Sequence, residues 1–182
     1  MSASSSPLTL PALSRRTVWR LAAGVAGSAA LAGCGFKLRG SQAFAFSRIA
    51  IMPHPGGGVA QELRRSFGPS VLVLAAEEPL ASAPLVLELA NEQREKTVVG
   101  VNASGQVLEY QLRMRVQLRL RTAKGKVIIE GVEISQQRDI SFSESAVLAK
   151  EAEEILLYRD MQTDIVQQIL RRLSKLQAVQ LD

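Results

Sequence analysis

Val107-Leu-Glu-Tyr-Gln-Leu-Arg-Met-Arg-Val-Gln-Leu-Arg-Leu-Arg121 alternates without a break from Leu108 onward. Leu108, Tyr110, Leu112, Met114, Val116, Leu118 and Leu120 share one parity, and Glu109, Gln111, Arg113, Arg115, Gln117, Arg119 and Arg121 share the other. Successive side chains of a strand point to opposite faces, so this stretch predicts a long strand, apolar on one face and wet on the other. Ala123-Lys124-Gly125-Lys126 is a hairpin signal, and residues 127–140 return as the partner strand, interrupted at Glu130 and Gly131.

On the other side, Asn102-Ala103-Ser104-Gly105 is a turn. Residues 85–101 alternate through Leu85, Leu87 and Leu89 and then turn polar, a strand whose far end extends beyond the core. Residues 47–52 read as a first strand with Ile49 and Ile51 on one face. Pro53, Pro55 and Gly56-Gly57-Gly58 end it in a flexible turn. Val59, Leu63 and Phe67 at i, i+4 and i+8 predict a short helix over 59–67, stopped by Gly68-Pro69. Residues 71–75 have the length of a short edge strand, and 77–84 read as loop.

Downstream, Ser143-Glu144-Ser145 offers a helix N-cap, and no Pro or Gly follows as far as Leu176. Tyr158, Met161, Ile165, Ile169, Leu173 and Leu176 form one helical stripe. Glu151, Glu153 and Glu154 lie early and Arg171, Arg172 and Lys175 late, matching the helix dipole. One apolar sheet face and two striped helices predict an α+β two-layer sandwich: a mostly antiparallel or mixed sheet of about four strands with both helices on one face.

The chain has 182 residues, 47% hydrophobic and 21% charged, which fits one ordinary domain and excludes both wholesale disorder and a polytopic membrane protein. Aromatics at 4% argue against a base-stacking surface for single-stranded nucleic acid. One cysteine excludes an internal disulfide framework and a cysteine zinc cage, and one histidine excludes a multi-histidine metal site. His54 sits between two prolines as a solvated loop residue, and the triple glycine lacks the Lys-Ser/Thr of a phosphate loop. With no nucleophile–base constellation, the chain reads as a non-enzyme without a cofactor.

Residues 1–33 hold Arg15, Arg16 and Arg20 and no acid, followed by an apolar run from Leu21 to Ala32. That run is too short for about 30 Å of hydrocarbon, so it reads as a cleaved export signal rather than a span. Leu31-Ala32-Gly33-Cys34 resembles the lipobox of bacterial lipoproteins, which makes Cys34 the lipidation site. Ser14-Arg15-Arg16 resembles a twin-arginine export signal, the general secretory route being the alternative. Gly35, where Asp would mark inner-membrane retention in many Gram-negative bacteria, implies sorting to the outer membrane, facing the periplasm. Three of the 22 basic residues belong to the leader, so the mature chain carries 19 against 17 acidic, a net charge of only +2. Residues 34–46 are then a lipidated tether and 47–182 the single domain.

The basic stripe of Arg113, Arg115, Arg119 and Arg121 has two readings. It is a solubilising sheet face with cross-strand partners, or a surface for an anionic ligand such as lipopolysaccharide.

Cys34-Gly35-Phe36-Lys37-Leu38-Arg39-Gly40 resembles the mature start of the lipopolysaccharide-assembly lipoprotein LptE family. Gly105 to Leu112 is similar to that family's Gly-x-x-x-Glu-Tyr segment opening a long strand. Ala149 to Glu154, Tyr158 to Met161 and Gln167 to Leu173 resemble its C-terminal helix, in the same order along the chain. The resemblance implies a protein that plugs the lumen of the outer-membrane β-barrel LptD, helps that barrel assemble, and binds lipopolysaccharide. It also implies a ligand-binding role for Lys150, with the arginine stripe as further candidates. Ala103 stands where the family carries an arginine; Arg94, Lys96 or the stripe are the cations that can take its place. The competing readings are another outer-membrane lipoprotein, acting as a barrel-assembly scaffold or cell-wall tether, and an anchored enzyme.

Overall fold

The computed structural model describes residues 43–177; the leader, Cys34, the tether through Gln42 and the last five residues lie outside them. The elements are β1 (Arg48–Met52), α1 (Gly58–Ser66), β2 (Leu72–Val73), β3 (Leu85–Val101), β4 (Val107–Thr122), β5 (Val127–Ser141) and α2 (Val147–Leu173). They build one mixed sheet in the order β2-β1-β3-β4-β5: β1 is parallel to β2 and β3, and β3, β4 and β5 are antiparallel neighbours. The architecture is the α+β sandwich expected, with the two-residue β2 bringing the strands to five.

The alternation of β4 decides where the core sits. Leu112, Met114, Val116, Leu118 and Leu120 are buried, and with Ile49, Ile51, Leu85 and Leu87 they make the inner sheet face. Val59 and Leu63 of α1, with Phe67 beyond it, and Met161, Ile165, Ile169 and Leu173 of α2 cover that face in one continuous cluster. Both helices therefore lie on the same side. The opposite parity of β1 and β3 supplies a second, smaller cluster of Ala50, Val86, Leu74 and Ala83 behind the sheet.

The far half of the long strands runs past the core. Leu108 shares the parity of Leu112 but is 50% exposed, and Val98, Val99 and Val101 are exposed beside it. The helix overhangs too: Leu148 is 82% exposed, and Ile155 and Leu156 are exposed, while burial starts at Tyr158. The core is thus concentrated where β1, α1 and the second half of α2 overlap.

Three local expectations are corrected. Ser143 makes no capping bond to the helix; Glu144–Ala146 form a 3-10 turn, α2 starts at Val147, and the Ser143 hydroxyl meets that of Ser145. The helix ends at Leu173 rather than Leu176. Gly56-Gly57-Gly58 is not a free turn but the entry to α1: the Glu92 carboxylate accepts hydrogen bonds from the Gly58 and Val59 N–H groups at 3.0 and 3.1 Å. A Cβ on Gly57 would fall on that carboxylate, so glycine there permits the close approach.

Glu92 reaches α1 because β3 is bulged. Ala90 pairs with Gln117 and Gln93 with Arg115, so β3 spends one more residue than β4 across this step, and Asn91 has φ 52°. The extra residue reverses parity. Before it the odd residues Leu85, Leu87 and Leu89 face the helices; after it the even residues Arg94 and Lys96 do, through Gln162 and Glu154 of α2. A second irregularity falls at the expected place in β5, where Leu118 pairs with Val132 but Leu120 with Ile129.

Candidate functional site

The parity switch places basic side chains under the start of α2. Lys96 donates to Glu154 at 2.6 Å, and its ammonium lies 4.4 Å from the centroid of the Tyr110 ring. Arg94 sits 5.4 Å from the Tyr158 ring and donates to Gln162 at 3.1 Å. The Tyr158 hydroxyl donates to the Glu95 carbonyl at 2.7 Å. Burial first, then Glu154, raises the Tyr158 phenol above its ordinary value; Arg94 opposes this and Glu95 adds to it.

Lys150 lies in the first turn of α2, inside the helix rather than before it. It donates to the Ser141 hydroxyl and to the Glu153 carboxylate, each at 2.9 Å. Lys96 and Lys150 line one pocket between the sheet and the helix start, with Tyr110, Phe142, Val147 and Glu154. Tyr110 and Phe142 meet edge to face at 5.4 Å, giving it an aromatic floor. Exposed Leu148 and Ile155 belong to the same half of the helix. Both ammonium groups have carboxylate partners, Glu154 and Glu153, and Glu151 also lines the pocket; a ligand with anionic and hydrocarbon parts fits beside the aromatic and aliphatic surface by taking the place of those carboxylates on the two lysines.

The structure does not bring Lys150 and the arginine stripe together. Arg113, Arg115, Arg119 and Arg121 occupy the outer sheet face, with the sheet between them and α2. Each has a cross-strand carboxylate: Arg113 and Arg115 reach Glu133 at 3.3 and 3.9 Å, and Arg115 reaches Glu95 at 2.6 Å. Arg119 and Arg121 share Glu88 at 3.8 and 2.7 Å. The paired-ladder reading of the stripe is the one this geometry favours. Ala103 is in the tip turn between β3 and β4, and Lys96 is the cation placed with Lys150. Cys34 lies outside the described residues.

His54 is exposed in a loop held by a different residue. The Arg64 guanidinium donates to the carbonyls of Ile51 and Pro53 at 2.9 Å, and to that of Pro55. Burial lowers the Arg64 pKa. This arginine is a structural clasp that the sequence did not single out.

The sequence profile of LptE, described as lipopolysaccharide-assembly, matches residues 44–173, nearly the whole described domain. The chain belongs to the LptE family. A solved lipoprotein B from Nitrosomonas europaea is 35% identical, covers 77% of this chain and 90% of its own, and superposes with a TM-score of 0.65. A rare lipoprotein B from Shewanella oneidensis is 20% identical, covering 70% of this chain and 93% of its own, with a TM-score of 0.57. A minor lipoprotein from Acinetobacter baumannii is 18% identical, covering 72% and 93%, with a TM-score of 0.55. These last two likenesses show the fold alone. No curated protein sequence gives a significant match. Membership of LptE gives this chain a role in lipopolysaccharide assembly. No helix among the described residues is long and apolar enough to cross a membrane.

Proposed function

We propose that this protein is an outer-membrane lipoprotein, anchored through Cys34 on the periplasmic side, that plugs and helps assemble the LptD β-barrel and binds lipopolysaccharide on its way to the outer leaflet. It works by binding rather than by catalysis. The observation that carries the ligand reading is the pairing of Lys96 and Lys150 over an aromatic-floored pocket in a domain of the lipopolysaccharide-assembly family. Phosphates would meet the two ammonium groups, and acyl chains the exposed aliphatic side chains of α2. The outer sheet face, a ladder of compensated charge, suits the polar wall of a barrel lumen.

The assembly part of this reading is tested by recovering the tagged lipoprotein from solubilised outer membranes. A stoichiometric large β-barrel with a periplasmic domain is expected. Recovery alone, or with cell-wall fragments, would replace the plug by the scaffold reading. The ligand part is tested by Lys150→Asp and Lys96→Gln, each expected to weaken lipopolysaccharide binding roughly tenfold or more at an unchanged melting temperature. Unchanged affinity in both would remove the pocket from the ligand site.

A further inference from the structure

The sheet has a long open edge. β5 is its last strand and pairs only with β4, while β2 at the other end is two residues long. One bond fixes which backbone groups of β5 point outward. The Phe142 N–H donates to the Leu108 carbonyl at 2.7 Å, and the register runs on without a shift from Tyr110 opposite Ile140 to Leu118 opposite Val132. Successive residues of an antiparallel strand bond to opposite sides, so the even residues from 132 to 142 spend their N–H and C=O groups on β4. Glu133, Ser135, Gln137, Asp139 and Ser141 aim theirs away from the sheet, and all of them are exposed. The break in register between Ile129 and Val132 limits this regular edge to 133–141, roughly 30 Å at about 3.3 Å per residue.

An edge of this length is a template for another strand unless a side chain guards it. Arg138 is such a guard: its guanidinium bends round the edge to the Gln137 carbonyl at 2.8 Å while holding Asp164 of α2 at 2.7 Å. The flank of α2 along this edge is acidic. Asp160 lies one turn before Asp164, and Glu153 two turns before Asp160, so the three share that flank. Glu153 pairs with Lys150 and Asp164 with Arg138, but Asp160 is exposed and has no cationic partner among the described residues. Outward backbone groups beside an unpaired carboxylate suit an extended polar segment with a basic side chain turned toward the helix. We propose that the partner barrel supplies it: a basic, extended segment of that protein adds to β5 as a sixth strand over 133–141. The inference rests on the plug reading for the identity of the partner. Wall strands of a closed barrel are paired on both sides, so the segment comes from a loop folded into the lumen. The edge ends at Ser141, which lines the Lys96–Lys150 pocket, so the added strand finishes beside the ligand.

The test separates backbone from side chain at one position. Gln137→Pro removes an outward N–H and sets a ring where the new strand would lie, without touching a bond to β4. When the tagged lipoprotein is recovered from solubilised outer membranes, Gln137→Pro should bring down about fivefold less barrel or worse, and Gln137→Ala, which keeps the N–H, should restore it. Asp160→Lys should lower recovery as well. A second readout needs no variant, and decides alone if circular dichroism shows Gln137→Pro to be unfolded. In hydrogen exchange followed by mass spectrometry, the odd amides of 133–141 should exchange fast in the free lipoprotein, and the whole segment should be protected in the complex with the barrel. Undiminished recovery with Gln137→Pro, or equal exchange of 133–141 in both states, would overturn the proposal and leave the plug reading standing. Wild type that brings down no barrel would sink both together. A dimer of the isolated lipoprotein that Gln137→Pro dissociates would also overturn it, assigning the edge to a second copy of this chain.

Discussion

Glu92 shows how much one side chain can do from outside the helix it stabilises. Its carboxylate satisfies two N–H groups at the positive end of α1, in place of a capping residue next to the helix in sequence. Glu92→Ala should cost about 1–2 kcal/mol in urea unfolding, as the loss of a cap does. Gly57→Ala should cost a comparable amount by displacing the carboxylate, and the double variant should cost less than the sum. Additive losses would mean that the two positions act separately. Tyr158 gives a second prediction. Its folded phenol holds its proton above the ordinary value of 10.0, so beyond that pH the native state binds more protons than the unfolded one, and stability falls as pH rises. The stability advantage over Tyr158→Phe should therefore narrow once pH passes 10.0; a constant gap would refute the assignment. Tyr158 was legible as the first residue of the buried stripe, but neither hydrogen bond was, because the partners lie 34 and 63 positions away.

At the scale of elements, periodicity was readable wherever burial enforced it. The alternation of β4 and the 158–173 stripe of α2 appear in the structure with the predicted faces buried. The same patterns overstated how far burial reaches, since Leu108 keeps the inward parity where no helix lies above it. Leu118→Ala should accordingly cost about 2–5 kcal/mol. Leu108→Gln should stay within about 0.5 kcal/mol in the same unfolding measurement. The β3 bulge left no sequence signal: from Asn91 to Lys96 every residue is polar, and a polar run has no visible parity. The candidate site inherited that blindness. Lys150 was nameable from the family resemblance, whereas the choice between Lys96 and the arginine stripe needed the faces to be known.

Across the whole molecule, one cluster joins side chains of α1, β1, β3, β4, β5 and α2. Removal of core volume in the smaller helix, as in Leu63→Ala, and in the larger, as in Ile165→Ala, should lower the midpoint of one and the same transition followed by circular dichroism. Two separated transitions would show that the helices unfold independently. The candidate pocket sits at the edge of that cluster, on the overhanging half of the sheet: Ile140 belongs to both and Tyr110 packs against the cluster, while Lys96 and Lys150 lie outside it, where substitutions can alter ligand binding with little effect on folding.

The extra residue at Asn91 also limits how the gene for this protein can change. Point changes in 91–96 alter single side chains and leave the register of β3 on β4 as it is. Loss of a single codon there does something else: with the tip turn fixed, either Leu85, Leu87 and Leu89 rotate out to water or Lys96 rotates out of the pocket and Glu95 into it. An in-frame deletion of one residue would then strip the core or reverse the sign of the site. Length, more than spelling, is what natural variation in this stretch of the family should preserve.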